Sequence, residues 1–304
     1  MRTCSNPKVD WTEEIYRKVP PAQVARLKQF RVSHPYKQLS FRDANWEYIS
    51  CGQNDETVLI LPGALSTGES AFPLISALET DYHIIAPSYP LSLNMEGLCD
   101  GIAHILEAEN ADSAHVFGGS YGGLVAQYFC RHYPHKSRSL ILSHTFVFNP
   151  KYTKVFWIAG KLFPALPRSL IVRLLKLRLN KLLLSRLRAA NHPDTELWRA
   201  YLDEAMTFGK LKDVFIHQNK CLLDLADRPR FTTNDLNEWP GRILIIESED
   251  DPAIGANERA NLRNMYPPAE IKSFLDAGHA SSILKLDEVV SSIKGFLGSI
   301  GRKD

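Results

Sequence analysis

The chain has 304 residues, 44% of them hydrophobic and 23% charged, with 36 Lys plus Arg against 34 Asp plus Glu. That apolar fraction excludes wholesale disorder, and the length suits one large α/β domain, with or without an inserted subdomain, or two small domains. A net charge of +2 gives no global reason to expect nucleic acid as a partner, and none is predicted.

Residues 1 to about 35 are polar, with Pro20 and Pro21 breaking any helix, and read as an extension lying against the body. Lys37 to Phe41 and Trp46 to Cys51 alternate apolar and polar residues around a polar turn, the pattern of an antiparallel hairpin. Beyond Gly52 the rhythm changes to short continuous apolar runs: Val58 to Leu61, His83 to Ala86, His115 to Phe117, Ser139 to Leu142, Arg242 to Ile246 and Ile271 to Leu275. Each is followed by a loop and most by a helical pattern, as expected of strands buried on both faces of a mostly parallel sheet. The intervening helices are predicted at Ser70–Glu79, Glu96–Asn110, Tyr121–Tyr133, Asn257–Met265 and Leu286–Leu297. From about Phe146 to Trp239 the rhythm breaks into a Leu-rich stretch that reads as several helices inserted between two strands.

Gly118-Gly119-Ser120-Tyr121-Gly122 is a G-x-S-x-G segment with a strand before it and a helix after it. A sharp strand-to-helix turn needs neighbours without side chains, and it projects the central hydroxyl at the carboxyl edge of the sheet. The helix N-terminus then offers backbone N–H groups to a developing oxyanion. Ser120 is therefore the candidate nucleophile. The candidate base is His279, in the loop after the last strand and at the same sheet edge. His144 follows its own strand at that edge and is expected to line the pocket.

The orienting acid follows from a charge asymmetry that the average conceals. Residues 113–193 hold 13 Lys or Arg and no Asp or Glu, which leaves 23 basic and 34 acidic side chains elsewhere, a balance of −11. No acid can therefore follow the strand ending near Leu142. The loop after Ile246 reads Glu247-Ser248-Glu249-Asp250-Asp251-Pro252, where Asp251 is the first choice, Asp250 the second and Glu249 the third. The chain order Ser120, Asp251, His279 differs from the trypsin-like and subtilisin-like orders. After the first parallel strand, Leu61-Pro62-Gly63-Ala64-Leu65 brings another loop to the same edge. The Ala64 and Tyr121 N–H groups are the candidate oxyanion hole, and Leu65 is expected to face substrate.

With these pieces in place, the sequence resembles the α/β-hydrolase superfamily over about residues 36 to 300. The resemblance rests on L-P-G-A at 61–64, G-G-S-Y-G-G at 118–123, E-D-D-P at 249–252 and G-H at 278–279. It implies an α/β-hydrolase fold: a core at 36–145 and 240–304, and a helical cap at 146–239 over the active site. Phe146, Phe148, Phe156, Trp157 and Phe163 are candidates to line an apolar pocket under that cap, with Phe146 and Trp157 foremost. One departure is Pro62, where many members carry a His that supports the oxyanion loop. A narrower similarity to maspardin-like proteins rests on K-V-P at 18–20, S-Y-P at 88–90, S-L-I-L at 139–142 and the elbow.

Members that open haloalkanes or epoxides use an Asp nucleophile, so Ser120 points instead to acyl chemistry on a small-molecule substrate. The expected activity is a serine hydrolase acting on an ester or related acyl bond, needing no cofactor or metal. The alternatives are a non-catalytic binding or adaptor protein on the same fold, as the maspardin similarity implies, or a carbon–carbon bond hydrolase.

Five widely spaced cysteines without a C-x-x-C pair suggest neither a zinc site nor a disulfide framework. The first residues lack the apolar core of a secretory signal, and a cytoplasmic protein is expected. The run Arg168 to Arg188 carries seven Lys or Arg among eleven Leu, Ile or Val, and its charges scatter around a single wheel, so two helices broken near Asn180 are predicted. Three readings of this basic cap stand side by side: a solvated surface, attraction of an anionic substrate, or contact with a membrane surface. The sequence does not determine an oligomeric state.

Overall fold

The computed structural model describes residues 13–208 and 210–300. Eight strands form one sheet: β1 (Lys37–Phe41), β2 (Ala44–Cys51), β3 (Thr57–Leu61), β4 (His83–Ser88), β5 (Ala114–Gly119), β6 (Ser137–Ser143), β7 (Arg242–Ser248) and β8 (Glu270–Phe274). Their spatial order is β1-β2-β4-β3-β5-β6-β7-β8. The β1–β2 and β2–β4 pairs are antiparallel, and every pair from β4–β3 onward is parallel.

The continuous apolar runs have the expected cause, because alternate residues feed two separate cores. Val58, Ile60, Ile84, Phe117, Ile141, Leu244 and Ile246 enter one core, and Leu59, Leu61, Ile85, Val116, Leu140, Leu142 and Ile245 enter the other. β8 departs from this pattern. It is an edge strand, with Ile271 and Leu275 both exposed, so only Phe274 is buried there.

The N-terminal segment holds two helices, separated at residues 17–20, where its prolines are expected to break any helix; the break falls at Pro20, but Pro21 begins the second helix. α1 covers Glu13–Tyr16 and α2 covers Pro21–Ser33. Pro21 occupies the first turn, where its missing N–H costs nothing and its fixed φ favours the helix. α2 lies against the body, burying Leu27 and Phe30, and the Phe30 ring stands 5.8 Å from that of Phe72. Residues 1–12 lie outside the described residues.

Helices α3 (Phe72–Leu78), α4 (Met95–Ala108) and α5 (Tyr121–His132) follow β3, β4 and β5. α4 starts where the Asn94 side chain accepts a hydrogen bond from the Gly97 N–H at 2.9 Å. Between β6 and β7 the chain runs through α6 (Thr153–Ala165), α7 (Arg168–Leu179), α8 (Ser185–Ala189), α9 (Thr195–Phe208) and α10 (Leu211–Ala226). A π-turn at Asn180–Leu184 joins α7 to α8. The predicted break near Asn180 is thus a widened turn inside one helical run. It rotates the later residues relative to the earlier ones. α11 (Ala256–Met265), α12 (Ser281–Leu284) and α13 (Leu286–Gly298) complete the chain. α3 and α13 cover one face of the sheet, α4, α5 and α11 the other. No helix among the described residues is long and apolar enough to cross a membrane.

The fit of α4 onto β2 depends on Gly101. A side-chain carbon there would stand inside van der Waals distance of the indole of Trp46, which is fully buried. Gly101→Ala is expected to destabilise the fold by about 1–3 kcal/mol through overpacking. The denaturant midpoint is the measurement, and an unchanged midpoint would show that Trp46 repacks freely.

Candidate active site

Ser120 sits between the end of β5 and the first residue of α5 with φ 53° and ψ −119°, a left-handed conformation that side chains rarely adopt. The surroundings hold it there. Its N–H donates to Ser143 O on the adjacent strand at 2.9 Å, and its own carbonyl accepts from the Thr145 hydroxyl at 2.8 Å. Gly122 lets α5 close onto the end of β3, since a side-chain carbon there would lie 2.7 Å from Pro62 O. The segment after β3 is close enough that one on Gly63 would lie 3.5 Å from Ser120 Cβ. Ala64 is in that segment and lines the cleft, while the Tyr121 N–H opens α5 beside Ser120. The Tyr121 side chain is buried, so only its backbone is available at the site.

His279 Nε2 lies 3.0 Å from Ser120 Oγ, and its Nδ1 lies 2.8 Å from Asp251 Oδ2. Of Glu249, Asp250 and Asp251, the structure brings Asp251 to the histidine. Asp250 instead accepts from Ser248 Oγ at 2.6 Å and from the Gly278 N–H at 2.9 Å, and it is paired with Arg186 of α8. Gly278 has φ 56°, and a side-chain carbon there would meet Arg186 Cγ at 2.7 Å. One inserted helix is thereby packed against both the acid loop and the histidine loop.

His144 does more than line the cleft. Its Nδ1 is 3.0 Å from the same Asp251 Oδ2, and its Nε2 is 2.6 Å from Ser281 Oγ. Asp251 Oδ1 accepts from the N–H groups of Ala253 at 2.8 Å and Ile254 at 3.1 Å. A carboxylate only accepts, so both imidazoles must carry their proton on Nδ1 when neutral, leaving each Nε2 to accept from a serine. Two serine–histidine arms thus share one carboxylate.

Burial opposes the charge on Asp251, yet the hydrogen bonds from His144 and His279 outweigh it and hold the carboxyl well below the usual carboxylate range. Burial holds His144 below the ordinary imidazole value, against the opposing pull of Asp251 and with help from the nearby His279. His144, Asp251 and His279 offer donor atoms within 4.8 Å of one another, as do His34, Cys51 and Glu79. A metal at the first set would have to displace both Nδ1 protons. At the second, His34 Nε2 and Glu79 Oε2 already stand 2.6 Å apart in a hydrogen bond.

The cleft over Ser120 has a volume of about 170 Å³. Its walls are Leu65, Leu74, Phe117 and Ile283 from the body and Leu179, Leu182, Leu183 and Trp198 from the insertion. Leu65 and His144 therefore stand where the sequence places them. Phe146 and Trp157 do not. Phe146 turns back over α5, with its carbonyl accepting from Gln127 Nε2 at 3.0 Å, and Trp157 is 56% exposed. In α6 the inward side is taken by Phe156 and Phe163, and the helical period directs Trp157 outward. Phe148 stacks on Phe156 at 6.2 Å as part of that packing.

Gln218 of α10 was not singled out by the sequence. It is buried, and its Nε2 lies 2.8 Å from Ser66 Oγ, 3.2 Å from Ala64 O and 3.4 Å from Gly63 O. The inserted helix thus fastens the loop that follows Pro62.

The fold and this geometry define a class. Residues 58–291 match the Alpha/beta hydrolase family, and the chain belongs to it. Among curated relatives, maspardin of Rattus norvegicus is 33% identical over 143 residues, covering 42% of this chain and 54% of that protein. The chain thus matches about half the length of the maspardins it resembles. A poly(3-hydroxyalkanoate) depolymerase of Ectopseudomonas oleovorans is 25% identical over 254 residues, 79% of this chain and 83% of that one. Among solved structures, an alpha/beta hydrolase enzyme from a Medee basin deep-sea metagenome library superposes with a TM-score of 0.72 at 16% identity, covering 88% of this chain and 99% of that one.

The His144 environment has a pH consequence. Asp251, His279 and Glu247 are the charged or titratable groups that act on it. Its folded-state value lies below the unfolded value of about 6.5, so the unfolded chain binds the proton first as pH falls. Its contribution to stability is complete above about pH 6.5 and is lost progressively below it. The Asp251 contribution is complete above about pH 3.9 and is lost below that. Denaturant midpoints are expected to fall between about pH 6.5 and 5, and more steeply in the wild type than in His144→Gln. Equal slopes would remove His144 as a cause.

Proposed function

We propose that this protein is a serine hydrolase that cleaves a carboxylic ester or a related acyl bond through an acyl-enzyme. The observation that carries the reading is the unbroken chain from Ser120 Oγ through His279 to Asp251, at 3.0 and 2.8 Å, opening into an apolar cleft. His279 takes the Ser120 proton as Oγ attacks the carbonyl carbon, and returns it to the leaving group as the tetrahedral intermediate collapses. A water molecule, deprotonated by the same imidazole, then releases the acid. Asp251 fixes the His279 tautomer and stabilises the imidazolium that forms at each step. The Ala64 and Tyr121 N–H groups receive the oxyanion. The leucine-rich walls and the volume of about 170 Å³ favour a small or medium apolar acyl group over a charged one. The depolymerase relative supports a hydrolase by its name.

A fluorophosphonate probe is expected to label the wild type and not Ser120→Ala. With a short-chain nitrophenyl ester, Asp251→Asn is expected to lower kcat by about 10³–10⁴-fold while Asp250→Asn retains most turnover. A well-folded wild type that neither labels nor turns over would replace the proposal with a ligand-binding protein, as the maspardin similarity suggests. Gln218→Leu is expected to lower kcat about tenfold with KM little changed, because the loop it holds acts on the transition state. A raised KM at unchanged kcat would assign Gln218 to substrate binding instead.

A further inference from the structure

The helices α6 and α7 present apolar side chains to solvent, and on α7 these lie opposite Leu179, which lines the cleft. None of the residues of α6 is buried, and Val155, Ile158 and Leu162, which share one flank of it, are between 41% and 61% exposed. In α7, Ile171, Leu175 and Leu179 are buried, which turns Leu170, Leu174 and Leu177 outward at between 41% and 60% exposure. At about 3.6 residues per turn these three leucines form one stripe, with Arg173 along one margin and Arg178 along the other. On α6, Lys154 and Lys161 share the outward side, and Lys161 stands over the Trp157 ring at 5.8 Å. Elsewhere in the insertion, Lys176 is paired with Asp203 and Arg186 with Asp250. Among the described residues no carboxylate forms an ion pair with Lys154, Lys161, Arg173, Arg178 or Lys181.

We propose that this face docks on an anionic lipid surface, with the leucine stripe and Trp157 at the acyl boundary and the lysines and arginines among the headgroups. Two features select this occupant. The apolar stripe margined by cations is the arrangement of a helix lying in an interface. The absence of any acid from residues 113–193 makes a second copy unsuitable, because the two faces would meet with like charges. Leu179, Leu182 and Leu183 of the same helical run line the cleft, so docking through the outward face leaves the catalytic side uncovered. The inference does not depend on the hydrolase reading, and its test needs no turnover.

The experiment is co-sedimentation of the full chain with phosphatidylcholine vesicles, with and without phosphatidylserine, at low and at raised salt. Binding is expected only with phosphatidylserine and is expected to weaken as salt rises. Arg173→Gln with Arg178→Gln is expected to lower the partition coefficient about 25-fold, from about fivefold per charge. Leu174→Ser with Leu177→Ser is expected to lower it as well, and both pairs are exposed enough to leave the unfolding midpoint unchanged. Absence of binding at low salt overturns the proposal, as does wild-type binding by both double variants. A dimer in sedimentation velocity that Leu174→Ser with Leu177→Ser dissociates would assign the face to a second copy and overturn it too.

Discussion

A single carboxylate, Asp251, organises this site. Its side chain is closed off from solvent, and burying a charge in that way is tolerable only when donors replace the lost water. Four donors do so, two imidazole N–H groups on Oδ2 and two backbone N–H groups on Oδ1. Each comes from a loop at the carboxyl edge of the sheet, following β6, β7 or β8. Those loops are held together by a shared electrostatic demand as well as by the strands beneath them. Removing any donor leaves part of a negative charge unanswered, so the arrangement resists partial disruption.

The sheet was readable because its strands are buried on both faces, which writes continuous apolar runs into the sequence, and the elbow because its backbone strain restricts the residues near Ser120. The acid loop is readable from strand order together with charge, since residues 113–193 hold no carboxylate and the loop after β7 does. The sequence does not separate Asp251 from Asp250 so sharply. Neighbouring acids in a loop point to opposite sides, and only the third dimension shows that Asp250 answers Arg186 and the Gly278 N–H.

What the sequence concealed has a common cause. Ser281 and Gln218 act through contacts separated by 137 and 152 residues, and no local pattern marks a serine or glutamine that will be buried against a distant loop. His144 was visible as a pocket residue, but its bond to Asp251 depends on the order of β6, β7 and β8. The aromatic residues Phe146 and Trp157 misled because hydrophobicity gives no direction. Helical phase assigned the inward side of α6 to Phe156 and Phe163, and the cleft wall came from leucines in the basic run. Of the N-terminal prolines, Pro21 misled in the same way, since it begins a helix from the position that breaks none.

The contacts of Arg186 and Gln218 give the inserted helices a second character besides enclosure. α8 is tied to the acid and histidine loops, and α10 to the turn after β3. Both halves of the reactive edge are therefore braced from above. Grafting a different insertion onto this sheet would leave Ser120, Asp251 and His279 in the sequence while removing the struts that align them. A segment swapped in here would need an arginine and a glutamine at matching positions to keep these contacts.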